Sequence, residues 1–286
     1  MEVEEMNTLS VLINTYNEEH NIRNCLESVS WADEIIIVDM YSTDNTVVIA
    51  QEYPNVKVFY FKNCGYADPA REFAFKQASS EWVLVLDADE MIPKSLYSKI
   101  IAIINDNKFD AISIPRKNYM FGEEIYCGDW GTESILRMMR KKSVVGFDSA
   151  IHSQFYLLKP EAKVTYLSRE FFCIIHFNYI NLEHFLDKSN RYTTIDAENA
   201  FNKLKKPLSA FKLIVAAFIF IPKFMIKNKG YKNKFVGLTL AVLMLNYHFS
   251  RYLKYKLMQK HSTVDTSAAI KQQYNEIANR IIKEYQ

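Results

Sequence analysis

Hydrophobic and polar positions alternate in blocks along the first hundred residues. Leu9 to Thr15 (LSVLINT) is a mostly apolar run that predicts a buried strand. Tyr16 to Glu19 is a polar turn, and Asn21 to Val29 predicts a helix. Glu34 to Val38 (EIIIV) predicts a second strand closing at Asp39. Ser42-Thr43-Asp44 predicts a turn and Thr46 to Glu52 a helix. Val56 to Tyr60 is a third strand, Pro69 to Ala78 a third helix, and Trp82 to Leu86 (WVLVL) a fourth strand that runs into Asp87-Ala88-Asp89-Glu90. A further helix follows Pro93. Apolar strands joined by helices predict an α/β fold with a mostly parallel central sheet covered on both faces. Such sheets bind ligands beyond the C-terminal ends of their strands. Here those ends carry Thr15, Asp39 and Asp87.

The pattern changes after the fourth strand. Ala111 to Pro115 predicts another strand, and residues 116–176 read as shorter strands and long loops punctuated by Gly122, Gly128, Gly131 and Gly146. Leu182 to Leu204 is polar and helical in pattern. Two apolar runs follow, Leu213 to Ile221 and Phe235 to Leu245, the first interrupted by Pro222. Each is short of the roughly 20 apolar residues that a spanning helix needs. The tail repeats Ile270, Tyr274, Ile277 and Ile281 at helical spacing, an amphipathic helix whose charges of both signs suit docking on protein. The chain thus divides into an α/β part over 1–180 (a regular portion at about 7–110, a mixed one at about 111–180), a helical basic region over 181–262, and a terminal helix over 263–286.

Charge sharpens this division. Asn199 to Val264 contains no Asp or Glu but 13 Lys and Arg, leaving 22 basic and 33 acidic residues elsewhere. Basic residues interleaved with Phe, Leu, Ile and Tyr point to helices lying on an anionic membrane surface, with lysines reaching the headgroups, and away from nucleic acid. A re-entrant hairpin, or plain packing onto the domain, are the other readings of these two runs. Glu2, Glu4 and Glu5 do not suit a secretory leader, and Cys25, Cys64, Cys127 and Cys173 show no CxxC spacing. A reducing cytoplasmic location, peripheral to the inner face of the cell membrane, is the expectation.

The candidate chemistry lies at the strand ends. Three carboxylates within Asp87 to Glu90 need a counter-charge, which Mg²⁺ or Mn²⁺ shared with substrate phosphates would supply. A solvated turn is the plainer alternative. Asp39 could hold a ribose or base, or close an Asx turn with Ser42. Arg71, in GYADPAR, suits phosphate or an ordinary ion pair. No GxxxxGK[ST] and no G-x-G-x-x-G follows the first strand, which disfavours P-loop NTPases and dinucleotide oxidoreductases.

Together SVLINTYNEEHNIRNCLESV, WADEIIIVDMYSTDNTVVIA and WVLVLDADE resemble the nucleotide-sugar-binding domain of family 2 glycosyltransferases, which have the GT-A fold. More narrowly, the chain resembles the bacterial lipopolysaccharide core glucosyltransferase type, with a membrane-associated C-terminal part. The resemblance implies that Thr15, Asn17 and Glu18 line the nucleotide pocket, that Asp39 contacts the uridine-like portion, and that Arg71 lies near the donor. It makes Asp87 and Asp89 the DxD pair, the second closer to the metal. Relatives carry a string like W-Y-P-D-x-Q-L-R-L-F where this chain has Trp130 to Met139, which sets Glu133 in the place of their catalytic aspartate, with Asp129 as its alternative. Where relatives show V-H-E, this chain has Ile151-His152-Ser153. Glu133 lengthens the arm of the base by one methylene, and Ser153 removes a carboxylate. Arg137 and His152 are candidates to orient phosphates or acceptor, and His176 reads as a hydrogen-bonded structural histidine.

The implied reaction is inverting, metal-dependent transfer of a hexose from a nucleoside-diphosphate donor, UDP-glucose first, to a lipid-linked or lipopolysaccharide-type saccharide. Transfer to a polyprenyl phosphate, a nucleotidyltransferase, and a degenerate membrane-associated adaptor are the competing readings.

Overall fold

The computed structural model describes residues 7–62, 68–148, 155–203 and 210–285. In chain order the first unit contains β1 (Leu9–Thr15), α1 (Ile22–Val29), β2 (Glu34–Asp39), α2 (Thr46–Ala50), β3 (Val56–Tyr60), α3 (Asp68–Gln77), β4 (Trp82–Asp87), β5 (Glu90–Met91) and α4 (Lys94–Asp106). Apart from β5, which the pattern does not predict, these lie within two residues of the boundaries it gives. There follow β6 (Ala111–Met120), β7 (Glu123–Glu124), β8 (Ser134–Arg140), β9 (Val144–Phe147), β10 (Tyr156–Leu158), β11 (Val164–Tyr166) and β12 (Ile174–Tyr179).

The main sheet runs β3-β2-β1-β4-β8-β6-β12-β5, with β7 and β11 paired to β6. β3, β2, β1 and β4 pair in parallel, as do β11 and β6. β8 enters antiparallel between β4 and β6, and β5 pairs antiparallel with β12. The sheet is therefore mixed, which corrects the mostly parallel expectation. The regular strand–helix alternation ends at α4, and β8 then reaches its place beside β4 through pairings the sequence pattern does not carry.

β1 is buried along its whole length because both faces are covered. Val11 and Ile13 join Leu26 and Val29 of α1 and Leu96 and Ile100 of α4, while Leu12 joins Ala70 and Ala74 of α3 on the other face. Register sets Asn14 beside Asp87 and Thr15 beside Asp39, so the polar strand ends of β1, β2 and β4 are neighbours.

One buried carboxylate supports the opposite end of the sheet. Glu34 accepts from Ser10 Oγ at 2.6 Å, Lys57 Nζ at 2.7 Å and Ser79 N at 2.9 Å. Burial pushes its carboxyl upward, but these bonds outweigh burial and hold it at about 2. A depressed carboxyl contributes stability that is present above its unfolded value and lost as pH falls towards its folded one. Glu34→Gln is therefore expected to lose about 2–3 kcal/mol at pH 7 and to show a flatter urea-stability profile between pH 5 and pH 2 than the native chain. An equal slope in both proteins refutes this.

The second unit comprises Tyr126–Gly128 and Tyr179–Gln286. Its helices are α5 (Leu182–Asn202), α6 (Ala210–Ile226), α7 (Lys234–His261) and α8 (Thr266–Lys283). α5 starts at Asn181, whose side chain caps His184 N at 2.9 Å, and buries Phe185, Ser189, Thr193 and Ala197, one residue per turn. α7 packs on that stripe, and its Lys254 Nζ donates to Asn190 O, Thr193 Oγ1 and Thr194 Oγ1. Gly237 is required there, since a Cβ would lie 2.0 Å from Gly230 O. Pro222 does not end the first apolar run. α6 continues through it to Ile226, and the bond that Pro222 cannot donate belongs to the carbonyl of the exposed Phe218. No helix among the described residues is long and apolar enough to cross a membrane. In the stripe of α8, Tyr274, Ile277 and Ile281 are exposed and Ile270 is half-buried.

Candidate active site

The loops that leave β1 and β2 are tied to each other by side chains. Asn17 takes φ +55°, a left-handed backbone that asparagine tolerates. Its N donates to Ser42 Oγ at 2.8 Å and its Oδ1 accepts from Thr43 N at 2.8 Å. Glu18 N donates to Thr46 Oγ1, and Glu18 Oε2 accepts from Asn21 Nδ2, both at 2.8 Å. Asp39 is fully buried and accepts from Ser42 N at 2.8 Å and Ser42 Oγ at 2.5 Å. The Asx turn is thus formed. Thr15 is buried beside Asp39, and its Oγ1 makes no hydrogen bond.

Guanidinium groups meet two of the three carboxylates at the end of β4. Arg71 of α3 donates to Asp87 Oδ1 at 2.7 Å. Arg137 of β8 donates to Asp87 Oδ2 at 2.7 Å and Glu90 Oε1 at 2.9 Å. Arg116 of β6 reaches the same Glu90 oxygen at 2.9 Å, and Glu90, fully buried, also accepts from Asp87 N at 3.0 Å. Burial opposes charge on Asp87, but Arg137, Arg71 and Arg116 together hold its carboxyl well below the usual carboxylate range. Burial likewise opposes the charge on Arg137, which Asp87 and Glu90 more than restore. Arg116 continues the chain of charges to Glu133, with Nε to Oε2 at 3.0 Å and Nη2 to Oε1 at 2.7 Å. Asp129 is exposed at the start of a short 3₁₀ turn, Asp129–Gly131.

Asp89 stands apart from the arginines. It is buried in the β4–β5 turn, and its Oδ2 lies 3.4 Å from His176 Nε2. Asn118 fixes the histidine tautomer. Its Nδ2 donates to Trp130 O at 2.8 Å, so its Oδ1 faces His176 Nδ1 at 2.6 Å and can only accept. Nδ1 therefore carries a proton. In the neutral ring, Nε2 then presents a lone pair towards a carboxylate oxygen, an arrangement that a divalent cation completes. A carboxylate and an imidazole are donors that would hold a divalent cation such as Mn²⁺, whose charge would be shared with substrate phosphates. Among the described residues no three His, Cys, Asp or Glu side chains converge on one point.

The structure thus draws Arg71, Asp87 and Arg137 into one cluster and joins Glu133 to it through Arg116. Thr15, Asn17, Glu18 and Asp39 form the adjoining strand-end loops. His152 falls outside the described residues. Arg116 and Asn118 went unnoticed in the sequence, Glu90 was counted among the three clustered carboxylates without a role of its own, and His176 was read as structural. A signal for two of them existed, because Arg116 and Asn118 continue the every-second-residue series of Ile112 and Ile114 on β6 with polar side chains.

A parallel half extended by antiparallel strands, with an acidic turn at the end of its fourth strand, is a GT-A-like fold. The glycosyl transferase family 2 profile matches residues 10–156, just over half of the sequence, and the chain belongs to that family. It is similar to the lipopolysaccharide core biosynthesis glycosyltransferase LpsC of Rhizobium meliloti, 26% identical over 89% of this chain and 93% of that protein. It is also similar to the glycosyltransferase SunS of Bacillus subtilis, 33% identical over 51% of this chain but 34% of that longer one. Among solved structures, a mannosyltransferase from Pyrobaculum calidifontis in complex with GDP-Man and Mn²⁺ shares the fold, with a TM-score of 0.51 at 14% identity over 87% of this chain and 86% of that one.

Proposed function

We propose that the protein transfers a hexose, glucose first among the candidates, from a UDP-sugar to a saccharide of the cell envelope, lipid-linked or of the lipopolysaccharide type, with inversion at the anomeric carbon. The likeness to LpsC supports the acceptor class because it runs nearly the full length of both chains. The observation that carries the reading is the polar set at one strand end: Asp89 with His176, Asp87 held by Arg71 and Arg137, and Glu133 tied to them through Arg116.

Glu133 is the base in this reading. Each of its oxygens keeps a lone pair beyond the Arg116 contacts, enough to take the proton of an acceptor hydroxyl as that oxygen attacks the anomeric carbon. The bond from that carbon to the diphosphate oxygen breaks on the opposite face. Asp89 and His176 would hold Mg²⁺ or Mn²⁺, which would neutralise charge on the departing diphosphate, while both oxygens of Asp87 are engaged by Arg71 and Arg137. Arg71 and Arg137 keep Asp87 ionised and aimed. The loops at Thr15 to Glu18 and the Asp39–Ser42 turn shape the floor under the nucleotide.

The second unit suits peripheral attachment to the inner face of an anionic membrane. Phe218, Ile226 and Phe235 are 79%, 76% and 80% exposed, and Lys223, Lys227, Lys229, Lys232 and Lys234 lie among them in sequence.

The test is a nucleotide-sugar panel offered to purified protein with Mn²⁺ or Mg²⁺, then with EDTA, with and without membrane lipid extract. The expected result is metal-dependent release of UDP from one donor, increased by the extract. Folded, lipid-binding protein that turns over no donor would favour a degenerate adaptor instead.

A further inference from the structure

Arg116 lies opposite Glu133 on adjacent antiparallel strands, one step past the Pro115–Ser134 pair, and its N donates to Glu133 O at 3.2 Å. Main chain and side chain therefore both join these two residues. The guanidinium spends Nε and Nη2 on the two oxygens of Glu133 and Nη1 on the buried Glu90, with Asp87 Oδ2 at 3.7 Å from the same nitrogen. Glu90 in turn accepts from the Asp87 amide and from Arg137. One planar group thus links the acidic turn after β4 to the carboxylate at the start of β8.

We propose that Arg116 is a positioning residue that aims the Glu133 carboxylate and fixes its distance from the acidic turn; this rests on the reading of Glu133 as the base. A glutamate has one more rotatable bond than an aspartate, and a loose carboxylate spends much of its time off the line of attack. A two-point clamp removes that freedom, and its third arm references the carboxylate to the segment that carries Asp87 and Asp89. Lysine cannot reproduce it, because an ammonium is a single point of charge without the fork. Among the described residues, Arg116 on β6 pairs with Glu133 and Arg137 on β8 interacts with it from further off.

A purely structural ion pair between β6 and β8 makes different predictions from an aiming residue. Arg116→Lys keeps a cation beside Glu90, so the fold should be retained. It is expected to lower kcat by about 10- to 100-fold, the scale of a displacement near 1 Å, with the donor KM within about twofold of the native value. In a Glu133→Gln background, Arg116→Lys should cost nothing further, since there is no base left to aim. Arg116→Ala, if it folds, should regain turnover with added guanidinium ion but not with equal sodium chloride. Native kcat in Arg116→Lys, or the same fractional loss with and without Glu133, overturns the role of Arg116 alone. Native turnover in Glu133→Gln overturns the base assignment, and the proposal with it.

Discussion

Glu133→Gln is expected to lower kcat by about 10²- to 10⁴-fold, the usual contribution of a positioned general base. The amide has nearly the same shape and keeps one oxygen for Arg116, but cannot take a proton at neutral pH. Its NH₂ would face one Arg116 N–H, so a stability loss of about 1 kcal/mol is also expected from the lost bond. The donor KM should hold, because Glu133 contacts Arg116 and none of the strand-end loops that would shape the nucleotide floor. Glu133→Asp keeps the carboxylate on a shorter arm and should fall between the two. Steady-state UDP release, read beside thermal melting, separates loss of the base from loss of fold. A rate that survives in Glu133→Gln and falls in Asp129→Asn moves the base to Asp129.

Asp87→Ala is expected to destabilise the fold by about 3–5 kcal/mol, the cost of removing one partner from a buried ion pair. The side chains of Arg137 and Arg71 are only 5% and 20% exposed, and both direct a nitrogen at Asp87. Without it Arg137 retains its bond to Glu90, and Arg71 loses its bond to Oδ1. Asp87→Asn retains an acceptor for one arginine and should lose less. The acid limb gives a second reading. The folded carboxyl of Asp87 lies well below its ordinary value, so its contribution is present above the unfolded value and fades only as pH falls through the folded one. Urea unfolding from pH 7 downward should show a deficit for Asp87→Ala that narrows only under strongly acidic conditions. A deficit below about 1 kcal/mol at pH 7, the scale of an exposed pair, would mean that the cluster is solvated.

Much of the fold was legible because β1 to β4 and α1 to α4 repeat one local unit, an apolar strand covered by helices. The parallel register then follows, and with it the meeting of Thr15, Asp39 and Asp87 at one edge. Pro222 shows the opposite case. A helix breaker by local rule, it sits inside α6, where its missing bond falls on an exposed turn. The counter-charge to Asp87 and Glu90 was read as a cation, yet arginines from α3, β6 and β8 supply it. These guanidinium groups lie 16, 26 and 50 residues from their carboxylates in the chain.

The sequence by itself determined the class of fold, the family, and which strand end gathers the polar candidates, because periodicity and motif spacing are local properties. Only the tertiary structure decided what each charged group faces: Arg116 on Glu133, Arg137 between Asp87 and Glu90, and His176 with its proton held by Asn118 and its other nitrogen towards Asp89. Those choices are made by antiparallel pairing of β8 with β4 and β6 and of β12 with β5, where side chains distant in sequence come within hydrogen-bond reach and burial makes the sign of each neighbour decisive.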